Sequence, residues 1–279
     1  MLANVLIIIA CVAGATAFLF LVSRTSTAPS RKESNDFTGA VVAVIGTTYA
    51  VILAFTLAGV WTMFQQAQAN EEQEANALAN VFRIASQLKD PNAKAIQELC
   101  VRYADNALQR EWPAMEKQQM PPEGEDIINQ LWTLAGESQA HAQPDAIAAY
   151  QLMEELRLLT QHRRIRIMDS REGLPGIFWA VLVAGGIITV ASSCFFGVPN
   201  FRFHLLQVIV LSFLIALVLV AISDIDQPYQ GALTVAPQGF RFAARTLHNL
   251  PNPQAGHDPV CSSRNNARHF MLSSRPNPL

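Results

Sequence analysis

Two acidic residues, Glu71 and Glu74, follow a long apolar stretch and lie three positions apart, so a helix places them on one face. Three arginines, Arg163, Arg164 and Arg166, precede another apolar stretch later in the chain. Carboxylates in this position can attract a cation, bind a metal together with further oxygens, or pair with arginine. Two carboxylates do not make a metal site, so we predict no metal and expect a structural ion pair. A solvated face and an ion site remain the alternatives.

A second motif, Glu111-Trp112-Pro113, is typical of a helix end, because proline interrupts helical hydrogen bonding. We expect Trp112 to anchor a core rather than to form a platform for a ligand.

A third motif follows the last apolar stretch and contains two acids and a turn: Asp224, Asp226, Pro228, Tyr229 and Gly231. The preferred interpretation is a helix end followed by a turn. Proline would stop the helix, tyrosine would lie at the membrane interface and glycine would permit a tight backbone. The alternative is an ion-sensing or gating element at the mouth of a pore.

Catalytic templates are missing from the sequence, which contains no GxSxG, P-loop, GxGxxG, HExxH or CxxC. Its six histidines are scattered. We therefore predict that the protein is not an enzyme and has no cofactor. Its basic residues are neither dense nor interleaved with aromatics, which argues against a nucleic-acid partner.

These residues must be positioned by elements that the distribution of charge predicts. Only 15% of the residues are charged, against about 25% in soluble proteins. Runs of 34, 29 and 21 uncharged residues follow Asp36, Glu172 and Arg202, and the first charged residue is Arg24. A membrane span needs about 20 mostly apolar residues. Four transmembrane helices are predicted, at about 2–22, 39–64, 175–196 and 203–223, which makes the lipid bilayer a partner.

The fold class is therefore all-α, a polytopic membrane protein with a soluble helical insert between spans two and three. The predicted units are a first transmembrane pair with its linker (1–64), a helical extramembrane domain (65–173), a second transmembrane pair (174–223), a turn with a short helix (224–249) and a disordered tail (250–279).

Span two carries small residues at four-residue spacing, namely Gly46, Ala50, Ala54 and Ala58. Such a ridge lets helix backbones approach closely in lipid. Packing against another span of the same chain is the favoured interpretation. The alternative is packing between subunits around an axis, with Thr48, Phe55 and Thr62 facing a pore. No span has a charge in its middle, which argues against a pump and leaves room for a channel gated by apolar side chains.

Together these pieces resemble the bestrophin-like membrane proteins of bacteria and plants, a family described as a domain of unknown function. The matching segments are YAVILAFTLAGVW from Tyr49, the acidic Glu74, the Glu111-Trp112-Pro113 motif, RIRIMDSREGLPGIFW from Arg164, and DQPYQG from Asp226. In true bestrophins, pentameric anion channels, the second span lines the pore and the helical insert is cytoplasmic. The resemblance implies a hydrophobic neck at Phe55. Only Asp224 and Asp226 remain of the acidic calcium cluster of true bestrophins, so calcium gating is not expected.

Two functional hypotheses follow. The first is a homo-oligomeric ion channel, with anions as the expected class, in the cell membrane, or the inner membrane of a bacterium. The second is a non-conducting scaffold or sensor whose helical domain binds an unidentified protein partner. The basic linker (Arg24, Arg31, Lys32) and the arginines before span three give opposite predictions for the side of the insert. The resemblance favours the cytoplasm.

Overall fold

The structure is a computed structural model that describes residues 2–25, 35–140, 146–231 and 233–249. These residues form helices and contain no strand. The predicted tail from 250 onward, together with Arg31 and Lys32, lies outside the described residues. Four helices are long and apolar enough to cross a membrane, which agrees with the four predicted spans.

The membrane helices are α1 (Leu2–Thr25), α2 (Asn35–Ala85), α7 (Gly176–Cys194) and α8 (Phe201–Ile225). Helix α1 packs mainly on α8, and α7 lies against α1, α2 and α8. A small apolar core joins α2, α7 and α8 through Val60, Leu182 and Ile222.

Helix α2 continues far beyond the bilayer. It has 51 residues and is about 75 Å long at 1.5 Å per residue, more than twice the roughly 30 Å of a hydrocarbon core. No glycine or proline occurs between Gly59 and the end of the helix at Ala85, so nothing in the sequence breaks it. The outer half of α2 therefore forms the central element of the extramembrane domain.

Around this outer half lie α3 (Ala93–Asn106), a π-helix (Ala107–Glu111), α4 (Trp112–Met115), α5 (Glu123–Ala140) and α6 (Ala146–Asp169), followed after α8 by α9 (Gln238–Asn249). Their apolar sides enclose one core with α2, in which Leu78, Ile96, Leu131 and Leu156 are buried. Burial of these side chains provides most of the driving force for the domain.

Hydrogen bonds at two places define the two ends of the membrane assembly. The Asn4 amide, at the start of α1, donates to both Asp224 oxygens at 2.9 Å, near the end of α8. At the opposite end, the Asn35 amide donates to the Gly197 carbonyl at 3.0 Å. The start of α1 therefore lies at the end of the assembly where the helical domain begins.

Candidate functional site: the open face of α2 and the buried charges beside it

Helix α2 presents two different faces within the bilayer. Toward its own chain, the buried Tyr49 donates a hydrogen bond of 2.8 Å to the Leu182 carbonyl of α7. Gly185 and Gly186 make room for this ring. A Cβ added at Gly185 would lie 2.5 Å from Tyr49 Cδ2. The close approach between these helices thus depends on the glycines of α7 and the ring of Tyr49.

The small-residue ridge of α2 lies on the other side. Ala50, Ala54 and Ala58 are exposed on the single chain, and the half-buried Gly46 has open space beside it. Packing of this ridge against another span of the same chain is therefore wrong. The physical reason is that Tyr49 and its buried neighbours, rather than the small residues, form the intramolecular contact.

The same open side carries Thr48, Phe55 and Thr62 at seven-residue spacing, which is about two helical turns. All three are exposed, and Phe55 exposes 77% of its surface. Beyond the membrane, Gln66 and Gln73 continue the stripe and are exposed as well. The stripe is uncharged along its length, with a single large aromatic ring among small polar side chains.

Next to the outer half of α2 lies a buried charge cluster centred on Arg166 of α6. The Arg166 guanidinium is fully buried and donates to both Glu74 oxygens at 2.6 and 2.9 Å. It also donates to Glu111 at 2.6 Å. Its central carbon lies 4.9 Å from the Trp112 ring centroid and 5.8 Å from that of Phe240, within range of a cation–π interaction.

A second arginine extends the cluster. Arg163 donates to Glu111 at 3.0 Å and to the more exposed Glu125 at 2.6 Å. The Tyr103 hydroxyl donates to Glu74 at 2.6 Å. The expected ion pair is thus present between Glu74 and Arg166. Arg164 is exposed on the opposite side of α6.

The environment fixes the charge state of this cluster. Burial alone would raise the pKa of Glu111, but the guanidinium groups of Arg166 and Arg163 bring the pKa of that carboxyl below its ordinary value. Burial alone would lower the pKa of Arg166, yet Glu74 and Glu111 hold it well above its ordinary range. Glu111, Arg163 and Arg166 therefore stay ionised at neutral pH, as buried charges that compensate one another.

Glu71 has a different role from Glu74, although the two share a helix face. Its carboxylate accepts hydrogen bonds from the backbone amides of Gly239, at 3.2 Å, and Phe240, at 3.0 Å, in the first turn of α9. A carboxylate at a helix N-terminus satisfies amides that lack an intrahelical partner. Burial raises the pKa of Glu71 above its ordinary value, although the two amides oppose that shift. Glu71 thus fastens α9 to α2.

The Glu111-Trp112-Pro113 motif does not end its helix. A π-helix closes at Glu111, and one more α turn runs to Met115, three residues beyond Trp112. Proline is tolerated because it stands in the first turn of α4, where no intrahelical amide bond is needed. The Trp112 indole donates to the Val235 carbonyl at 3.1 Å and packs edge-on against Tyr229 and Phe240, so it is an anchor of the core.

The motif after the last span connects the membrane and the domain. Asp226 accepts hydrogen bonds from the Leu174 amide at 2.6 Å and the Trp179 indole at 3.4 Å, both at the start of the third span. Pro228 and Tyr229 are buried, and Tyr229 packs against Phe64 and Met115. The position of this tyrosine at the membrane interface stays a prediction. Gly231 has φ +91°, a conformation that favours glycine.

Among the described residues, no three potential ligands from His, Cys, Asp and Glu come together as a metal site.

Most of this chain matches a known protein family. The family model for the bestrophin-like domain matches residues 9–240. The chain belongs to the bestrophin-like family. No curated protein matches it.

Solved structures show the same fold. A mutant of a bacterial bestrophin homologue from Klebsiella pneumoniae is similar to this bestrophin-like chain with a TM-score of 0.66 at 12% identity, covering 86% of this chain and 97% of that one. The homologue solved by zinc anomalous phasing gives a TM-score of 0.63 at 12% identity, covering 86% and 95%. The bestrophin-like chain is thus a membrane protein with the fold of these homologues.

Two members of the charge cluster, Tyr103 and Glu125, and one glycine beside it lie outside the motifs of the sequence. The apolar periodicity of α3 predicts only a core position for Tyr103, and Glu125 belongs to an ordinary acidic first turn. Gly124, beside Glu125, carries no signal of its own, yet a Cβ there would overlap Glu111 Oε1 and approach Arg163 Nη2 within 2.9 Å. Such close approaches depend on packing between α5, α6 and the π-helix, which spacing along the chain does not encode.

Proposed function

We propose that this bestrophin-like protein forms a homo-oligomeric ion channel in the cell membrane, with the open face of α2 from each subunit lining the path. The observation that supports it most directly is the exposed stripe of Thr48, Phe55 and Thr62, opposite the face that Tyr49 packs against its own chain. The uncovered face of α2 and the exposed small residues beside it are suited to the packing of subunits around an axis.

Phe55 is the proposed constriction. It is the only large aromatic side chain within this stripe of Thr48, Phe55 and Thr62, and a ring of such side chains around an axis can gate a pore by excluding water. The small neighbours Ala54 and Ala58 allow adjacent α2 helices to approach closely. The helical domain would then extend the path on the cytoplasmic side, along Gln66 and Gln73.

The channel is tested with purified protein in planar bilayers under asymmetric salt. Wild-type protein should give discrete currents, and Phe55→Ala should increase the open probability or the conductance. Phe242→Ala is the matched control, because Phe242 is also strongly exposed (71%) but lies on α9 outside the membrane. Absence of current across several salts, pH values and voltages, from protein with an intact oligomeric ring, would contradict the proposal. Reversal potentials in the same experiment test the expected preference for anions.

The second candidate is a non-conducting scaffold that holds a protein partner on its helical domain. Exposed apolar side chains near the start of α6, Ile147 at 77% and Tyr150 at 66%, favour it. The oligomeric state in detergent separates the two candidates. A closed ring supports the channel, whereas a monomer or dimer supports the scaffold.

A further inference from the structure

A long groove lies within the membrane region, away from the open face of α2. Helix α8 forms its floor, and α1 and α7 form its walls. Its volume is about 640 Å³. Along α1 it extends from Asn4 to Phe18, about 20 Å at 1.5 Å per residue. Since the helices span the bilayer, the groove runs along the direction in which lipid chains are oriented.

The lining is apolar over most of this length, and small residues provide the space. Ala10, Gly14 and Ala216 line the groove, and a Cβ added at Gly14 would meet no atom within 4 Å. At the far end, Phe18 packs edge-on against Phe195, with ring centroids 6.4 Å apart, and so bridges α1 and α7.

The other end is polar and acidic. Asn4 and Ser223 line the groove there, and the Asn4 amide is bound to the Asp224 carboxylate. Trp179, also in the lining, donates to Asp226. Within the described part of the chain, no ion pair joins either aspartate to a cation. Asp226 is buried by these contacts, so Asp224 is the acidic group without a basic partner at this end of the groove.

The dimensions of the groove indicate which kind of ligand it can hold. A volume of 640 Å³ over about 20 Å leaves a mean cross-section of about 30 Å². An α-helix of a second copy, about 10 Å across, has more than twice that cross-section. A single acyl chain is thin enough and apolar throughout, and an ammonium headgroup complements the Asp224 carboxylate.

We propose that this groove binds one acyl chain of a membrane phospholipid with a primary-amine headgroup, of the phosphatidylethanolamine type, whose ammonium lies near Asp224. The lipid fills the gap between α1 and α7 and completes the packing of the bundle. This site is independent of ion conduction, so its test and the channel test can fail separately.

The test uses full-length protein in phosphatidylcholine nanodiscs that contain a small fraction of phosphatidylethanolamine with a photoactivatable acyl chain. Wild-type protein should be labelled on the peptides that contain Cys11 and Trp179. Gly14→Phe fills the groove and should reduce that labelling to background. Ile9→Phe is the matched control, because Ile9 is exposed on α1 (57%) outside the groove, and its labelling should stay at the wild-type level. Gly14→Leu is a smaller filling variant to use if the phenylalanine variant does not fold.

Asp224→Asn tests the headgroup. Loss of one charge-assisted contact should weaken competition by unlabelled phosphatidylethanolamine about tenfold, with phosphatidylcholine competition unchanged. Equal labelling of wild-type and folded Gly14→Phe protein would overturn the proposal. Disulfide crosslinking between subunits through Cys11, together with dissociation of the oligomer by Gly14→Phe, would overturn it too, by assigning the groove to a subunit interface.

Discussion

Arg166 and Glu74 form a buried bidentate ion pair across 92 positions of sequence, with N–O distances of 2.6 and 2.9 Å. The pair joins α6 to the outer half of the helix that presents Phe55 in the membrane. Both side chains are fully buried. Removal of either one would leave a buried charge without its partner and would lower the free energy of unfolding.

Arg166→Met should therefore destabilise the protein by about 3–5 kcal/mol, because Glu74 would keep a buried charge without an arginine partner and Glu111 would keep only Arg163. Arg166→Lys should recover only part of that loss, since an ammonium cannot form the bidentate pair. Thermal unfolding in detergent measures both changes. Arg164→Met, two residues away and exposed, is the control and should change stability by less than about 0.5 kcal/mol. Equal effects at Arg164 and Arg166 would contradict the buried cluster.

Two glycines of α5 should respond in opposite directions to the same substitution. Gly124→Ala places a methyl group against Glu111 and Arg163, so it should disrupt the cluster and lower the unfolding temperature. Gly136→Ala meets open space and should stabilise the helix by about 0.5–1 kcal/mol. Unfolding curves of the two variants, measured side by side, check the prediction; a stabilised Gly124→Ala would refute the close approach.

Acid titration should distinguish Glu71 from Glu111. Burial raises the pKa of Glu71 in the folded state, so its contribution to stability is complete below the ordinary value of 4.5 and is lost as the pH rises through the raised pKa. Wild-type protein should thus lose stability relative to Glu71→Gln as the pH rises above 4.5.

Glu111 should behave in the opposite way. Its folded-state pKa is lowered by Arg166 and Arg163 despite burial, so its contribution is present above 4.5 and is lost as the pH falls through the lowered pKa. Wild-type protein should therefore be more stable than Glu111→Gln at neutral pH, and this difference in stability should decrease only in acid. Unfolding temperatures across the pH range, with both variants, give the two signs; identical trends would refute the assignment.

A charge placed on the proposed path should change ion selectivity. Thr62→Glu would put one carboxylate per subunit around the axis, so the reversal potential in asymmetric salt should move toward cations. Thr62→Gln is the control, because glutamine has a size similar to that of glutamate and carries no charge. A reversal potential that is the same in both variants would exclude Thr62 from the path.

The side of the helical domain can be determined by labelling. Cys100 is buried and unsuitable, whereas the Lys94 side chain on the same helix is 65% exposed. Lys94→Cys should react with a membrane-impermeant thiol reagent only after the cells are permeabilised, as the proposed cytoplasmic domain requires. Wild-type protein measures the background from native cysteines. Labelling of intact cells would place the domain outside.

The sequence predicts the helices of this protein better than their contacts. Uncharged runs predict the four spans, because the bilayer excludes charge whatever the packing, and an unbroken polar segment predicts the extension of α2. The contact face of α2 is not predictable in this way: its small residues suggest close packing, but Tyr49 finds its space on the glycines of α7. An ion pair between the acidic residues after span two and the arginines before span three could be predicted, because both groups lie close to the membrane. Only the fold shows that the pair is Glu74 with Arg166 and that Glu71 binds backbone amides instead.

The bond between Asn4 and Asp224 also has a practical meaning for fusion proteins. It holds the beginning of α1 at the membrane surface from which the helical domain extends. A fluorescent protein attached before residue 2 and one attached after α9 should therefore emit from the same compartment, whereas one inserted after Thr25 should report the opposite side.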